Sequence, residues 1–161
     1  MRGLPVKSRT SLPAAVLAAG LAAGPGTAMD EQPIWQPAIY CAALDFTRAD
    51  ILAGIEDDLP DTAGTPESAN RSARVYLRIA AEAMNCPPPG QLDAMIETAR
   101  IGIAHRLDVA EHYGHRPRVM VRALASESEL VCELHFDPDL MEAARAAEAE
   151  TPPAPLCGAN E

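Results

Sequence analysis

The chain has 161 residues, with 13 Lys and Arg against 23 Asp and Glu and a formal net charge of −10. That balance excludes proteins that grip nucleic-acid phosphates through clustered cations, and the length suits one domain. Aromatic residues are 4% of the chain and much of its 48% hydrophobic content is alanine, so the core is expected to be small aliphatic side chains on closely packed helices rather than sheets.

Arg2, Lys7 and Arg9 precede a short Ala/Leu/Val run from Leu12 to Ala23, which Gly24, Pro25 and Gly26 end ahead of the small-residue site Gly26-Thr27-Ala28. This order predicts a cleavable signal peptide over 1–28. The apolar run is interrupted by Pro13 and is shorter than the roughly 18 residues of a spanning helix. Cleavage removes three cations and no acid, so 13 cations become 10 against the same 23 acids and the net charge falls from −10 to −13. All remaining cations are arginine, which with the abundance of alanine points to a bacterial protein of the periplasm or one secreted beyond it.

In the mature part, 29–36 is expected to be a flexible start and 37–148 a helical domain. Pro37 suits a first helical turn, and apolar residues recur to Ile55, with Tyr40, Leu44, Ile51 and Ile55 on one face and Ala42, Phe46, Ala49 and Ala53 on another. Such a helix is contacted from two sides. Residues 57–65 read as a loop. Thr65 as N-cap and Pro66 at the first position open a second helix to Met84, with Ala73, Tyr76, Leu77, Ala80, Ala83 and Met84 as its apolar face. Pro87, Pro88, Pro89 and Gly90 form a stiff corner. Leu92, Met95, Ile96, Ala99, Ile103, Leu107 and Ala110 predict a helix from Gln91 to Tyr113, stopped by Gly114.

The segment 118–136 reads two ways. Leu130, Cys132, Leu134 and Phe136 alternate as in a strand, giving an α+β alternative with a hairpin at 118–136. As a helix, Met120, Leu124, Val131 and Leu134 share one side with Glu127 among them, and an otherwise helical chain favours this reading. Asp137 and Pro138 open a last helix to about Glu148, and 149–161 is a Pro-rich tail whose expected anchor is Cys157. The expected fold is all-α, a small disulfide-stapled bundle of about four helices.

The four cysteines, Cys41, Cys86, Cys132 and Cys157, contain no C-x-x-C spacing and belong to a chain read as exported, so two disulfides are expected. Of three connectivities, Cys41 with Cys132 and Cys86 with Cys157 is favoured, because it ties the first helix to the end of the core and secures the tail. Each long loop so closed is worth on the order of 3–4 kcal/mol.

Two constellations carry possible chemistry. His105, Asp108 and His112 fall on one helix face with His115 just beyond, a donor set suited to Zn or Cu, although imidazoles seven residues apart are separated by about 10.5 Å along the axis. Arg71, Arg74 and Arg78, with Glu82, align on the second helix as a candidate anion-binding stripe; in so acidic a chain, pairing with Asp45, Asp50 or Asp57 competes with that role. There is no G-x-S-x-G, no H-E-x-x-H and no phosphate-cradling glycine loop. The expectation is therefore an exported binding or accessory protein without catalytic residues or cofactor, whose protein partner has a basic surface. The alternatives are a periplasmic metal-binding protein and, after it, an envelope hydrolase.

Overall fold

The computed structural model describes residues 33–55, 64–150 and 152–157. The expected signal peptide, residues 29–32, most of the loop before Thr65 and the last four residues lie outside the described residues. The described chain is helical, without a strand.

Helix α1 (Trp35–Ala53) is the centre of the bundle. It starts two residues ahead of the expected Pro37, because Trp35 packs partly buried against the core and Pro37, lacking an N–H, still falls within the first turn. Ala38, Ala42, Ala43 and Leu44 are wholly buried, and helices α2 (Pro66–Ala83), α3 (Gln91–His112) and α4 (Pro117–Glu127) all pack against α1. Its alanines allow the close approach that a helix covered from several sides requires. Gly54 caps it, its N–H donating to the Ile51 carbonyl at 3.1 Å.

The N-terminus of α2 is a reciprocal cap. Thr65 Oγ1 accepts from the Ser68 N–H at 3.1 Å, and Ser68 Oγ accepts from the Thr65 N–H at 2.9 Å, with Pro66 in the first helical position. After α2 the chain reverses through Asn85 and Cys86, both at positive φ (53° and 57°), and the Cys86 N–H donates to the Ala81 carbonyl at 2.8 Å. Gly90 (φ 81°) then leads into α3, which ends at Gly114 (φ 83°) where left-handed backbone favours glycine.

Segment 118–136 is helical, which removes the hairpin alternative. After α4 come wide π-helical turns over Ser128–Cys132 and one α-helical turn, α5 (Glu133–His135). Met120, Leu124, Ser128, Cys132 and Phe136 are buried at steps of four, so the π-helical turns keep one row facing inward where a regular helix would rotate it away. Val131 and Leu134, expected on the inner side with Met120, face solvent instead. Glu127 accepts hydrogen bonds from the Tyr40 hydroxyl and from Arg106, joining α1, α3 and α4. Helix α6 (Pro138–Ala149) starts at the expected cap, where Asp137 accepts from the Asp139 N–H at 2.9 Å, and packs on α2.

Cys41 is bonded to Cys132 and Cys86 to Cys157, with Cα atoms 5.8 and 5.6 Å apart; these are the favoured pairs. The tail has further anchors besides Cys157. Leu156 packs against the core, the Ala154 N–H donates to the Ala147 carbonyl at 3.2 Å, and Arg78 donates to the carbonyls of Ala154 and Pro155 at 2.6 and 2.8 Å. No helix among the described residues is long and apolar enough to cross a membrane.

Candidate functional site

The residues singled out for metal binding lie on the surface. His105, Asp108 and His112 project from α3 and His115 follows Gly114, all four exposed. The His112 ring meets Tyr113 edge-on at 5.7 Å, and His135 meets Phe136 likewise at 5.3 Å. Among the described residues no group of three or more His, Cys, Asp or Glu is placed to hold a metal ion. The seven-residue spacing explains why: two turns of helix separate the imidazoles, so a further element would have to supply the missing donors.

The arginine stripe divides. Arg74 Nε and Arg78 Nη2 donate to the two carboxylate oxygens of Glu148 on α6, at 2.6 and 2.5 Å. Arg78 and Glu148 are buried, 4% and 5% exposed. Burial opposes the charge on Glu148, but the two guanidiniums overcome it and hold its carboxyl below the usual range. The competing acid is thus Glu148. Asp45 pairs with Arg48 and Asp50 with Arg100, and Asp57 lies outside the described residues. Arg71 alone of the three stays exposed and unengaged by α6.

An apolar face that helical periodicity did not reveal lies on the π-helical turns and α5. Leu130, Val131 and Leu134 are 68%, 53% and 79% exposed. They occupy positions i, i+1 and i+4 of a segment whose inner side is bonded to α1 through Cys132. Glu129 and Glu133, exposed, run one residue earlier in each turn, so an acidic row borders the apolar one. The alternation of Leu130, Cys132, Leu134 and Phe136 was its sequence signal: two residues of the four face in and two face out.

No family model matches this chain. Nor does any curated protein or solved structure match it significantly.

A concave surface, a cleft of about 260 Å³ between α3 and α4, is lined by Leu107, Val119, Met120 and Leu124 with Arg106 and Glu127. The ion pair of Arg106 with Glu127, at 3.2 Å, and the Tyr40 hydroxyl bonded to both already satisfy its charged wall. Burial, and then Glu127, raise the Tyr40 phenol above its usual value, so it remains a donor to the carboxylate.

Proposed function

We propose that this protein is an exported, non-catalytic binding protein that docks through Leu130, Val131 and Leu134 onto an apolar groove rimmed by basic residues on a protein partner. The observation that carries this reading is the exposure of those three large side chains on a segment pinned by the Cys41–Cys132 bond. Leaving such area in water forgoes burial worth about 1.5–3 kcal/mol for each side chain, and contiguous exposed apolar groups are a common mark of interaction surfaces. The neighbouring Glu129, and the acidic balance of the whole chain, supply the complement to a basic rim. Two disulfides among the described residues, with the basic and apolar leader, support an oxidising destination outside the cytoplasm.

The test compares native protein with a Leu130→Ser/Leu134→Ser variant as bait in periplasmic extract of its own host. Native protein is expected to retain a basic partner that the variant retains at least about tenfold less, consistent with loss of central apolar contacts. Equal retention by both baits would overturn the docking surface, and measurable turnover of an envelope substrate would overturn the non-catalytic reading.

A further inference from the structure

Helix α3 turns one side to the bundle and leaves the opposite side bare. Of its 22 residues only Ile96 and Ile103 are buried. At 100° per residue, Ala94, Thr98, Ile101, His105, Asp108 and His112 fall within about 80° of arc on the side away from that pair, and all six are exposed. They follow one another at alternating steps of four and three, the spacing of a seam along which one helix packs on another. Large apolar side chains reach water on and beside this seam: Ile101 is 63% exposed, and Val109 and Tyr113 at its edge are 45% and 78% exposed.

Within the seam, Asp108 stands three residues after His105 and four before His112, so its carboxylate neighbours both rings, while the rings themselves are about 10.5 Å apart along the axis. One copy therefore offers an ion His105 with Asp108, or Asp108 with His112. That is one donor short of the three that hold an open zinc site, in keeping with the lack of any three-donor group among the described residues. A second copy supplies the missing donor. When two α3 helices pack antiparallel about a two-fold axis midway between Asp108 and Val109, each His105 comes level with the second copy's His112, because both positions are equally far from that midpoint. At the usual interaxial distance of about 8–10 Å, side chains facing each other across such a seam meet.

We infer that α3 is a metal-bridged self-association face, on which two copies pair antiparallel and hold two zinc-type divalent ions, each bound by His105 and Asp108 of one copy and by the second copy's His112. Imidazole and carboxylate donors with a position left for water suit zinc. The ion also decides when pairing occurs. This register brings the two Asp108 carboxylates close to the axis in a chain of net charge −10, so bare copies repel each other; a divalent cation at each end of the seam reverses the local charge and lets Ile101 and Val109 leave water. The arrangement is isologous and closes at two copies.

Sedimentation velocity of the mature chain from Met29, with zinc chloride or EDTA, tests this, together with zinc retained after dialysis. A monomer is expected in EDTA and a dimer in zinc, with one ion per chain. His105→Ala and His112→Ala, each at an exposed position, are expected to keep the helical signal in circular dichroism, to remain monomeric in zinc and to bind the ion at least about tenfold more weakly. An equimolar mixture of the two variants separates the possible arrangements. Pairing one of each restores a complete site at one end of the seam and leaves no histidine at the other, so the mixture is expected to dimerise with one ion per dimer. If both histidines served one ion within a single copy, the mixture would stay monomeric. If the helices paired in parallel, like ring to like ring, each variant alone would keep one intact site and still dimerise. Either result, or a native chain that stays monomeric in zinc, overturns the proposal.

Discussion

Glu148 is where a surface-looking charge pattern becomes a core interaction. Arg78 sits on the side of α2 opposite the predicted apolar face, yet α6 and the tail cover it, and its guanidinium is bonded to Glu148 and two tail carbonyls. Removing the acid alone strands a buried cation, so Glu148→Ala is expected to cost about 3–5 kcal/mol in denaturant unfolding. The folded carboxyl titrates below its unfolded value. The pair's contribution is therefore fully present above the unfolded pKa and is lost as pH falls through the folded one, so Glu148→Gln is expected to flatten the acid limb of the stability profile. Asp45 works in the opposite sense, since burial raises its pKa and protonation relieves a cost to the folded state. Tyr76 gives an alkaline counterpart: burial, with the charge of Asp45 second, pushes its phenol up to about 12. Because the folded state holds this proton more tightly, stability is expected to fall as pH rises from the usual phenol value toward 12. Absorbance titration near 295 nm checks this, and Tyr76→Phe is expected to remove the latest phenolate step.

Individual helices were legible where their signals are local. The three- and four-residue steps of Leu92 through Ala110 predict α3, and Thr65-Pro66 and Asp137-Pro138 mark helix starts because cap chemistry is settled within four residues. Thr65→Ala is accordingly expected to destabilise the protein by about 1 kcal/mol, read as a lowered denaturant midpoint with an unchanged slope; no loss would mean that neighbouring groups replace the cap. The π-helical turns were not legible, because their register is decided by distant contacts: Ser128 meets Asp45 and Cys132 meets Cys41, 83 and 91 residues away in sequence. The same distance hid the apolar face, since a regular period turns Val131 inward. The burial of Arg78 depends likewise on an acid 70 residues onward. If Leu130 and Leu134 serve docking rather than folding, Leu130→Ser/Leu134→Ser is expected to change unfolding stability by no more than about 0.5 kcal/mol, as for surface positions away from caps and networks.

At the scale of the whole molecule, the two disulfides divide the work of closing the chain. Cys41–Cys132 spans 91 residues and lies within the core, with its cysteines 1% and 0% exposed; Cys86–Cys157 spans 71 residues between the proline corner and the tail, and both its cysteines are only partly buried. Loop-closure entropy grows slowly with length, so each contributes a similar amount, about 4.5 kcal/mol, through the unfolded chain. Their kinetic exposure differs instead. A thiol reductant must reach a sulfur to attack it: the tail bond is open to collision in the folded protein, whereas the core bond becomes reachable only when α1 and the π-helical turns separate. Mild reduction under native conditions is therefore expected to release two thiols, which alkylation and mass spectrometry place at Cys86 and Cys157, with four appearing only in denaturant. Arg78, still bonded to the tail carbonyls and Glu148, is expected to keep the helical signal in circular dichroism unchanged after that first step. Early labelling of Cys41 or Cys132 would show that the core opens more readily than its packing implies; collapse of the helical signal on reducing the tail bond alone would show that the tail helps to hold α2 and α6 together.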